Sequence, residues 1–178
     1  MVTQEQPQPG AVLQADFKKG MRRLSSSVSI ITAGGAAGRN GMTATAVCSV
    51  SAEPPILLVG INLGASIHDQ IESTGAFGVN ILRPKHRHLA DRFSSGLSGE
   101  ARFEIGQWSE GALGVPVMED ALASFACQVI KVVTIGTHDI FFGQVVGIDV
   151  SEGTPLLYGG GQYEISLAAT PLAYHATL

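Results

Sequence analysis

The sequence contains few charged residues, few aromatic residues and no long apolar run. Charged residues make up 15% and aromatic residues 6% of the chain, and the net charge is −4. A negative net charge argues against nucleic acid as the main partner, because phosphate binding needs a basic face. No apolar run approaches the roughly 20 residues that span a bilayer, so we expect no membrane partner. The segment Met1 to Gly10 lacks a basic stretch followed by an apolar one, so we do not expect a signal peptide.

The chain also has little cysteine, with only Cys48 and Cys127. They fall in separate predicted strands without the spacing of a metal site, so we expect two buried thiols in a reducing compartment. The expected location is therefore cytoplasmic. The five histidines lack metal-site spacing as well, because His86 and His88 would point apart on a helix. We therefore expect no metal.

Length and apolar content predict one main domain. A chain of 178 residues fits a single domain, with residues 1–15 as a flexible N-terminal tail and residues 16–178 as the folded unit. Apolar residues make up 45% of the chain and the mean hydropathy is +0.25, which is ample for a sizeable core. The surplus of apolar residues over charge indicates that another subunit covers part of the surface.

The segment Gly41 to Asn62 predicts a strand, a turn and a second strand. Its first half, from Thr43 to Ser51, consists almost wholly of small residues. Strands favour bulky side chains, so a strand of Ala, Ser and Thr leaves its backbone open to the edge of a flat polar ligand. Pro54-Pro55 marks the turn, and Ile56 to Ile61 is typical of a strand buried on both faces. The alternative is an ordinary hairpin with a thin core.

Other local patterns predict short helices between further strands. Asp16 is expected to cap a helix whose apolar side chains include Phe17 and Met21. Asn40-Gly41 is a hairpin signal. Helices are expected at 66–73 and 85–93, and strands at 28–32, 76–82, 125–135, 140–150 and 164–167. Strands that follow one another with only short helices between them favour an antiparallel barrel or sandwich.

Six short motifs, each weak alone, carry a resemblance to a known family. They are G-M-T-A-T-A-V-C-S-V-S-A-E-P-P from Gly41, the pair Asn62 and Ser66, F-G-V-N-I-L from Phe77, H-L-A-D-R-F-S from His88, G-T-H-D-I-F-F-G-Q-V from Gly136, and P-L-L-Y-G-G-G-Q-Y from Pro155. In this order they resemble the short-chain flavin reductases, the NAD(P)H:flavin oxidoreductase components of two-component flavin-dependent monooxygenases. The resemblance covers Phe17 to Leu167.

The resemblance implies a fold, a reaction and partners. The fold would be mainly β, an FMN-binding split β-barrel with Greek-key connections and a few short helices, working as a homodimer. The reaction would be hydride transfer from NADH to FMN or FAD, with the cofactors carrying the chemistry and the protein supplying alignment. A separate flavin-dependent monooxygenase would receive the reduced flavin.

The resemblance also implies which residues bind the cofactors. The flavin ring and ribityl chain would contact Thr43, Ala44, Thr45, Ala46 and Ser49, and the flavin phosphate would contact Asn62 and Ser66. The remaining expected cofactor contacts are Asn80, Arg92, Tyr163 and His138, of which His138 would be the catalytic residue at the nicotinamide.

The residues alone leave simpler interpretations open. Small residues suit a close strand crossing, Ser66 can cap a helix, Asn80 can bond neighbouring backbone, and His138 can be a solvent-exposed turn residue. The alternative functions are an oxidase of the pyridoxamine-phosphate-oxidase type and a non-enzymatic flavin carrier. The choice between FMN and FAD stays open. NADH is preferred to NADPH, because no Arg or Lys is convincingly placed for a 2′-phosphate.

Overall fold

The computed structural model describes residues 10–36 and 38–165, and this part of the chain is mainly antiparallel β-sheet with short helices. The α-helices are α1 Ala11–Met21, α2 His68–Thr74 and α3 Arg87–Phe93. Short 3-10 helices cover Pro84–His86, Gly99–Glu104 and Ala112–Gly114. The strands are β1 Ser26–Ser27, β2 Ser29–Ala33, β3 Asn40–Ala44, β4 Val47–Ala52, β5 Pro55–Asn62, β6 Ala76–Ile81, β7 Trp108–Glu110, β8 Pro116–Met118, β9 Ala123–Ile135, β10 His138–Val150, β11 Leu156–Gly159 and β12 Gln162–Ile165.

Seven strands form the main sheet in the order β3-β2-β6-β9-β10-β5-β4, and every neighbouring pair is antiparallel. Its two edge strands, β3 and β4, follow each other in sequence with only Thr45 and Ala46 between them. The sheet must therefore curve until its two edges meet at this joint. No ladder links β3 to β4 in the described residues. The predicted mainly β fold is confirmed, and closure into a barrel stays a prediction.

Two smaller sheets flank the main one. One has the order β1-β11-β12, in which β11 pairs with Ser26 and Ser27 on one side and with β12, the last described strand, on the other. The other pairs β7 with β8. No helix in the described ranges is long and apolar enough to cross a membrane.

The apolar core has two main parts. One fills the inside of the curved sheet and includes Val59, Phe77 and Phe141, all with no exposed surface. The other lies between the sheet and α3, and includes Leu89 and Phe93. A typical large buried side chain contributes about 1.5–3 kcal/mol through its removal from water.

Gly41 allows α3 to pack closely on β3. A Cβ atom at this position would lie 2.7 Å from Cε1 of Phe93 and 2.9 Å from the carbonyl oxygen of Ile31. Neither neighbour has room to retreat, because Phe93 is buried and the Ile31 oxygen belongs to the paired strand. The glycine therefore sets the distance between α3 and the small-residue strand.

The structure corrects the prediction for the first helix. Helix α1 begins at Ala11 with Gly10 as its N-cap, so Asp16 does not cap it but lies inside it, 3.1 Å from Nζ of Lys19. Phe17 is 64% exposed in the described chain, so the apolar side of α1 is not buried. The N-terminal part of the predicted tail, residues 1–9, lies outside the described residues.

Three further predictions are also corrected. Cys127 is buried, and burial raises the pKa of its thiol to about 12. Cys48, however, is exposed, because β4 is an edge strand of the sheet. The hairpin that Asn40-Gly41 signals is present between β2 and β3, but these two residues begin β3 and the chain reverses before them. His138 is the first residue of β10 rather than a turn residue, and the turn consists of Gly136 and Thr137.

Candidate functional site

Three cavities meet at the joint between the two edge strands. The largest, about 500 Å³, is lined by Thr45 and Ser49 together with apolar side chains such as Leu57 and Val79. A second, about 330 Å³, extends from Thr45 to Gly159, Gly160 and Gly161. Thr45 is thus placed where a ligand in either cavity would contact it.

The third cavity adds further predicted residues to the same place. It measures about 220 Å³ and is lined by Thr43, Ala44, Thr45 and Tyr163 among others. The small side chains at the end of β3 therefore line a cavity and are not packed against a crossing strand. The interpretation as an ordinary hairpin with a thin core does not account for these cavities.

The backbone of β3 faces away from the sheet at alternate residues. The N–H of Gly41 donates to Oδ1 of Asn40 at 2.9 Å, and the carbonyl oxygen of Gly41 accepts from the Arg102 guanidinium. Both groups of Gly41 are therefore directed away from β2. Since this orientation repeats every second residue in an antiparallel ladder, the N–H and C=O of Thr43 face the same way. A flat ligand that lies along this strand could form hydrogen bonds with them through its edge.

Asn62 and His138 lie at the same end of the sheet as the joint. The N–H of Gly60 donates to the carbonyl oxygen of Ala46 at 3.0 Å, and Asn62, two residues further along β5, lies opposite His138 in the ladder with β10. Two residues of a strand span about 7 Å. The Asn62 side chain shapes the following loop by accepting from the N–H of Gly64 at 2.9 Å.

The His138 side chain is open to solvent at this end of the sheet. It is exposed, with one ring nitrogen 3.0 Å from the Thr137 hydroxyl. The imidazole would therefore be accessible to a ligand at the joint. The structure brings together His138 and Asn62, two predicted residues that are far apart in sequence.

Ser66 does not cap a helix. Helix α2 begins at His68 with Ile67 as the N-cap, and no side chain caps it. The Ser66 carbonyl oxygen instead accepts from Nδ2 of Asn40 at 2.8 Å, and its hydroxyl lies 3.4 Å from the guanidinium of Arg102. The loop between β5 and α2 therefore adjoins the start of β3.

Arg102 is a site residue that the sequence did not reveal. It is only 7% exposed, yet its hydrogen-bond partners are neutral oxygens, namely Gly41 O, Asn40 Oδ1, Ser66 Oγ and Ser95 O. Its Nε has no partner among the described residues, and no described carboxylate forms a salt bridge with it.

A buried charge without a counter-charge is costly. Burial accordingly lowers the pKa of the Arg102 guanidinium. An anion beside Ser66 would supply the missing charge, so these residues fit a phosphate group. The sequence gives no signal for Arg102, because this residue lies in the weakly patterned segment 94–114.

Arg92 already has a carboxylate partner. Its guanidinium donates to the carbonyl oxygen of Ala101 and pairs with Glu104 at 2.5 Å. These contacts hold α3 to the following 3-10 helix. The positive charge of Arg92 is therefore largely compensated by Glu104. Of these two arginines, Arg102 is the one without a carboxylate partner in the described residues.

Asn80 lies inside the protein rather than at a cavity. It has no exposed surface, its Nδ2 donates to Ile30 O at 3.2 Å, and its Oδ1 accepts from Met118 N at 2.8 Å and Ser124 Oγ at 2.9 Å. The amide is satisfied by neighbouring groups, as in the simpler interpretation. Asn80 thus ties three segments together and does not face the candidate site.

Tyr163 closes the smallest cavity from the C-terminal side. Its ring packs edge-on against Tyr158, with the ring centroids 5.4 Å apart, and the Arg87 guanidinium lies 5.2 Å from its centroid. Burial and the nearby Asp91 raise the pKa of Tyr163 to about 12, so the hydroxyl stays protonated at neutral pH. The ring is placed to cover a ligand that lies along Thr43 to Thr45.

The fold and the site define a small antiparallel β protein that offers open backbone to a flat ligand and a buried cation to an anionic group. The sequence model of one protein family, the Flavin reductase like domain, matches residues 21–166. The chain belongs to this family.

Known relatives agree with the family assignment. The chain is 41% identical over 164 residues to the FMN reductase (NADH) RutF of Variovorax paradoxus, covering 92% of this chain and 91% of the relative. The solved flavin reductase PheA2 is 33% identical with a TM-score of 0.78, covering 86% of this chain and 97% of that one. The nitrilotriacetate monooxygenase component B homolog of Mycobacterium thermoresistibile is 28% identical with a TM-score of 0.84, covering 94% and 95%.

Proposed function

We propose that the protein is an NADH-dependent flavin reductase that reduces FMN, or FAD, and supplies the reduced flavin to a separate monooxygenase component. The observation that carries the proposal is the position of the small-residue joint, where three cavities meet at Thr45. The name of the Variovorax relative supports NADH and FMN, and the name of the Mycobacterium neighbour supports a monooxygenase partner.

The flavin ring would lie along the end of β3 and the joint. Thr43, Ala44, Thr45 and Ala46 offer small side chains there, and Ser49 offers a hydroxyl in the largest cavity. Backbone N–H groups aimed at the ring edge would stabilise the negative charge that develops on reduction. When bound, the flavin supplies the hydride-accepting chemistry.

The flavin phosphate would lie at the other end of β3. Ser66 and Arg102 meet Asn40 at the start of the strand, and Arg102 brings a buried charge without a carboxylate partner. The site also includes the Asn62 loop, which leads directly into Ser66. In this arrangement one end of the ligand would lie at Arg102 and the other at Thr45.

The nicotinamide would approach from the His138 side. His138 is exposed beside Asn62, at the end of the sheet where the joint lies. In this role the imidazole orients the nicotinamide against the flavin ring. Holding the two reacting atoms about 3–3.5 Å apart accounts for much of the rate gain in such a reaction.

The proposal includes a homodimer and a split barrel. Exposed apolar side chains on one helix and two long strands support coverage by a second copy of the chain, and they are Leu13, Phe17, Met21, Ile130, Val132, Ile135, Val146, Ile148 and Val150. Large contiguous apolar patches are rare on monomeric proteins and mark interaction surfaces. The split barrel is supported by the meeting of the two sheet edges at Thr45 and Ala46. Light scattering of the purified protein measures the mass directly, and a monomer at micromolar concentration would contradict the dimer.

We also propose that residues 16–178 form a single catalytic domain and that it works in the cytoplasm. The family match from residue 21 to 166 supports the domain. Limited proteolysis tests it, because one stable fragment lacking the first residues is expected.

The test of function is NADH oxidation, followed by absorbance at 340 nm with FMN, FAD and riboflavin in separate assays. Turnover that depends on added flavin supports the reductase, and the order of kcat/KM values identifies the preferred flavin. Flavin binding without NADH oxidation would point to a carrier. Oxidation of pyridoxamine phosphate would point to the oxidase alternative.

A further inference from the structure

A buried histidine and two carboxylates lie beside the start of β10, next to His138. Nε2 of His68 is 2.7 Å from Oδ2 of Asp139, and Nδ1 of His68 is 3.0 Å from Oδ1 of Asp69. The side chains of His68 and Asp139 are 8% and 7% exposed, whereas Asp69 is 97% exposed. The ring of His68 also packs edge-on against Phe141, with the centroids 5.6 Å apart.

A doubly protonated ring would satisfy both carboxylates. An ionised carboxylate only accepts hydrogen bonds, so a histidine with a carboxylate at each nitrogen must donate from both. A neutral imidazole has one N–H and would leave one carboxylate without a donor. In agreement, Asp69 and Asp139 raise the pKa of His68 through hydrogen bonds.

The carboxylate of Asp139 also favours the charged pair. Its pKa is lowered by Thr134, its neighbour across the ladder, and by the hydrogen bond from His68. Oδ1 of Asp139 has no hydrogen-bond partner in the described residues, so the bond from His68 is the contact that holds this carboxylate. A further acidic group near the ring is Glu72 on α2. One of its carboxylate oxygens lies within 4.8 Å of a ring nitrogen of His68 and of a carboxylate oxygen of Asp69.

The pair joins two segments that the proposed function assigns to different ligands. His68 begins α2, immediately after the loop that holds Asn62 and Ser66. Asp139 follows His138 at the start of β10. The backbone supports this join, since the N–H of Leu63 donates to the carbonyl oxygen of Thr137 at 3.0 Å.

We propose that His68 is a positioning residue: as an imidazolium bound to Asp139, it fixes the turn before His138 against the Asn62–Ser66 loop and thereby sets the affinity for NADH. The inference rests on the proposed function, in which His138 meets the nicotinamide. Loss of the second ring proton removes the positive charge that attracts Asp139 and leaves one N–H for two carboxylates, which weakens the contact between the turn and the loop. The affinity for NADH is therefore expected to fall as His68 deprotonates.

The first experiment follows His68 directly, without any substrate. The ring of His68 is titrated by NMR in the wild-type protein and in the Asp139→Asn and Asp69→Asn variants. The pKa of His68 is expected above the ordinary 6.5 in the wild type. It should fall strongly in Asp139→Asn. It should fall less in Asp69→Asn, because an exposed pair contributes little. A wild-type pKa at or below 6.5 would overturn the proposal.

The second experiment measures the KM for NADH and kcat from pH 5.5 to 9. In the wild type the KM for NADH is expected to rise roughly fivefold or more as pH passes the NMR-determined pKa of His68, with kcat nearly constant. Asp139→Asn should move this step to lower pH, and Asp69→Asn should move it less. His68→Gln keeps a donor near Asp139 but cannot titrate, so the step should disappear.

The outcomes separate this proposal from the proposed function. A step in KM that persists in His68→Gln belongs to another group, such as His138, and would refute the role of His68. A flat wild-type profile across the measured pKa would refute it as well, and this test needs no variant to fold. If the wild-type protein oxidises no NADH with any flavin, the proposed function itself fails, whatever the NMR titration shows.

Discussion

Replacement of Arg102 by glutamine provides the sharpest test of the proposed phosphate site. Arg102 is 7% exposed, lies 3.4 Å from the Ser66 hydroxyl and has no carboxylate partner in the described chain. Glutamine keeps a hydrogen-bond donor near Asn40 but removes the charge. A hydrogen bond to a charged group contributes about 1.5–3 kcal/mol. Since about 1.4 kcal/mol is a tenfold change in affinity, the Kd for FMN should rise by about 10- to 150-fold.

The control for Arg102→Gln is the ligand itself. Riboflavin carries the same ring and ribityl chain as FMN but no phosphate, so its Kd should change by less than about threefold. Titrations that follow flavin fluorescence measure both constants, and circular dichroism confirms that the variant is folded. An equal loss of affinity for FMN and riboflavin would assign Arg102 a purely structural role. Unchanged FMN binding in a folded variant would refute the phosphate site.

The same titration distinguishes the two arginines. Arg92→Gln removes a charge that Glu104 already compensates at 2.5 Å. Its effect on FMN affinity is expected to be small, about twofold or less, because exposed ion pairs contribute little. A large and FMN-selective effect at Arg92 would favour the assignment implied by the family resemblance.

Four further predictions follow from the described contacts. Thr45→Leu should raise the Kd of FMN and riboflavin alike by at least about tenfold, because leucine extends into the cavities that meet at Thr45, while Thr45→Ser should bind normally; normal flavin affinity of the leucine variant would refute the ring site. His138→Ala should raise the KM for NADH with flavin affinity within about twofold, and an equal loss of both would mean a structural role. Asn80→Ala should lower the free energy of unfolding in urea by about 1–3 kcal/mol, because buried partners such as Met118 N lose their bond; a selective loss of flavin affinity at unchanged stability would contradict this placement. The raised pKa of His68 contributes stability that is complete below its unfolded value of about 6.5 and is lost as pH rises through the folded pKa, so urea midpoints should fall over that interval in the wild type and not in His68→Gln.

Much of the fold was predictable because it depends on local patterns. The run of small residues around Thr43, the apolar run from Ile56 and the glycine that ends α2 at Gly75 each act within a few residues. Strand β6 was predicted at 76–82 and is observed at Ala76–Ile81. The antiparallel arrangement follows from strands joined by short connections.

The predictions that failed concern which surface each segment meets. The spacing of Phe17 and Met21 is typical of a buried helix face, yet the described chain leaves both exposed. Cys48 was expected to be buried, but it lies on an edge strand. Periodicity reports which side of an element is apolar and cannot report what covers that side.

Residue size and motif order are local properties, so they were enough to predict a strand with accessible backbone and a resemblance to flavin-binding proteins. Which residues surround that strand depends on the fold of the whole chain. The fold brings Arg102 beside Ser66, which is 36 residues away in sequence, and directs the side chain of Asn80 into the core. It also paired His68 with Asp139 across 71 residues. Such contacts depend on strand register and sheet curvature, and these are set by the packing of the whole chain.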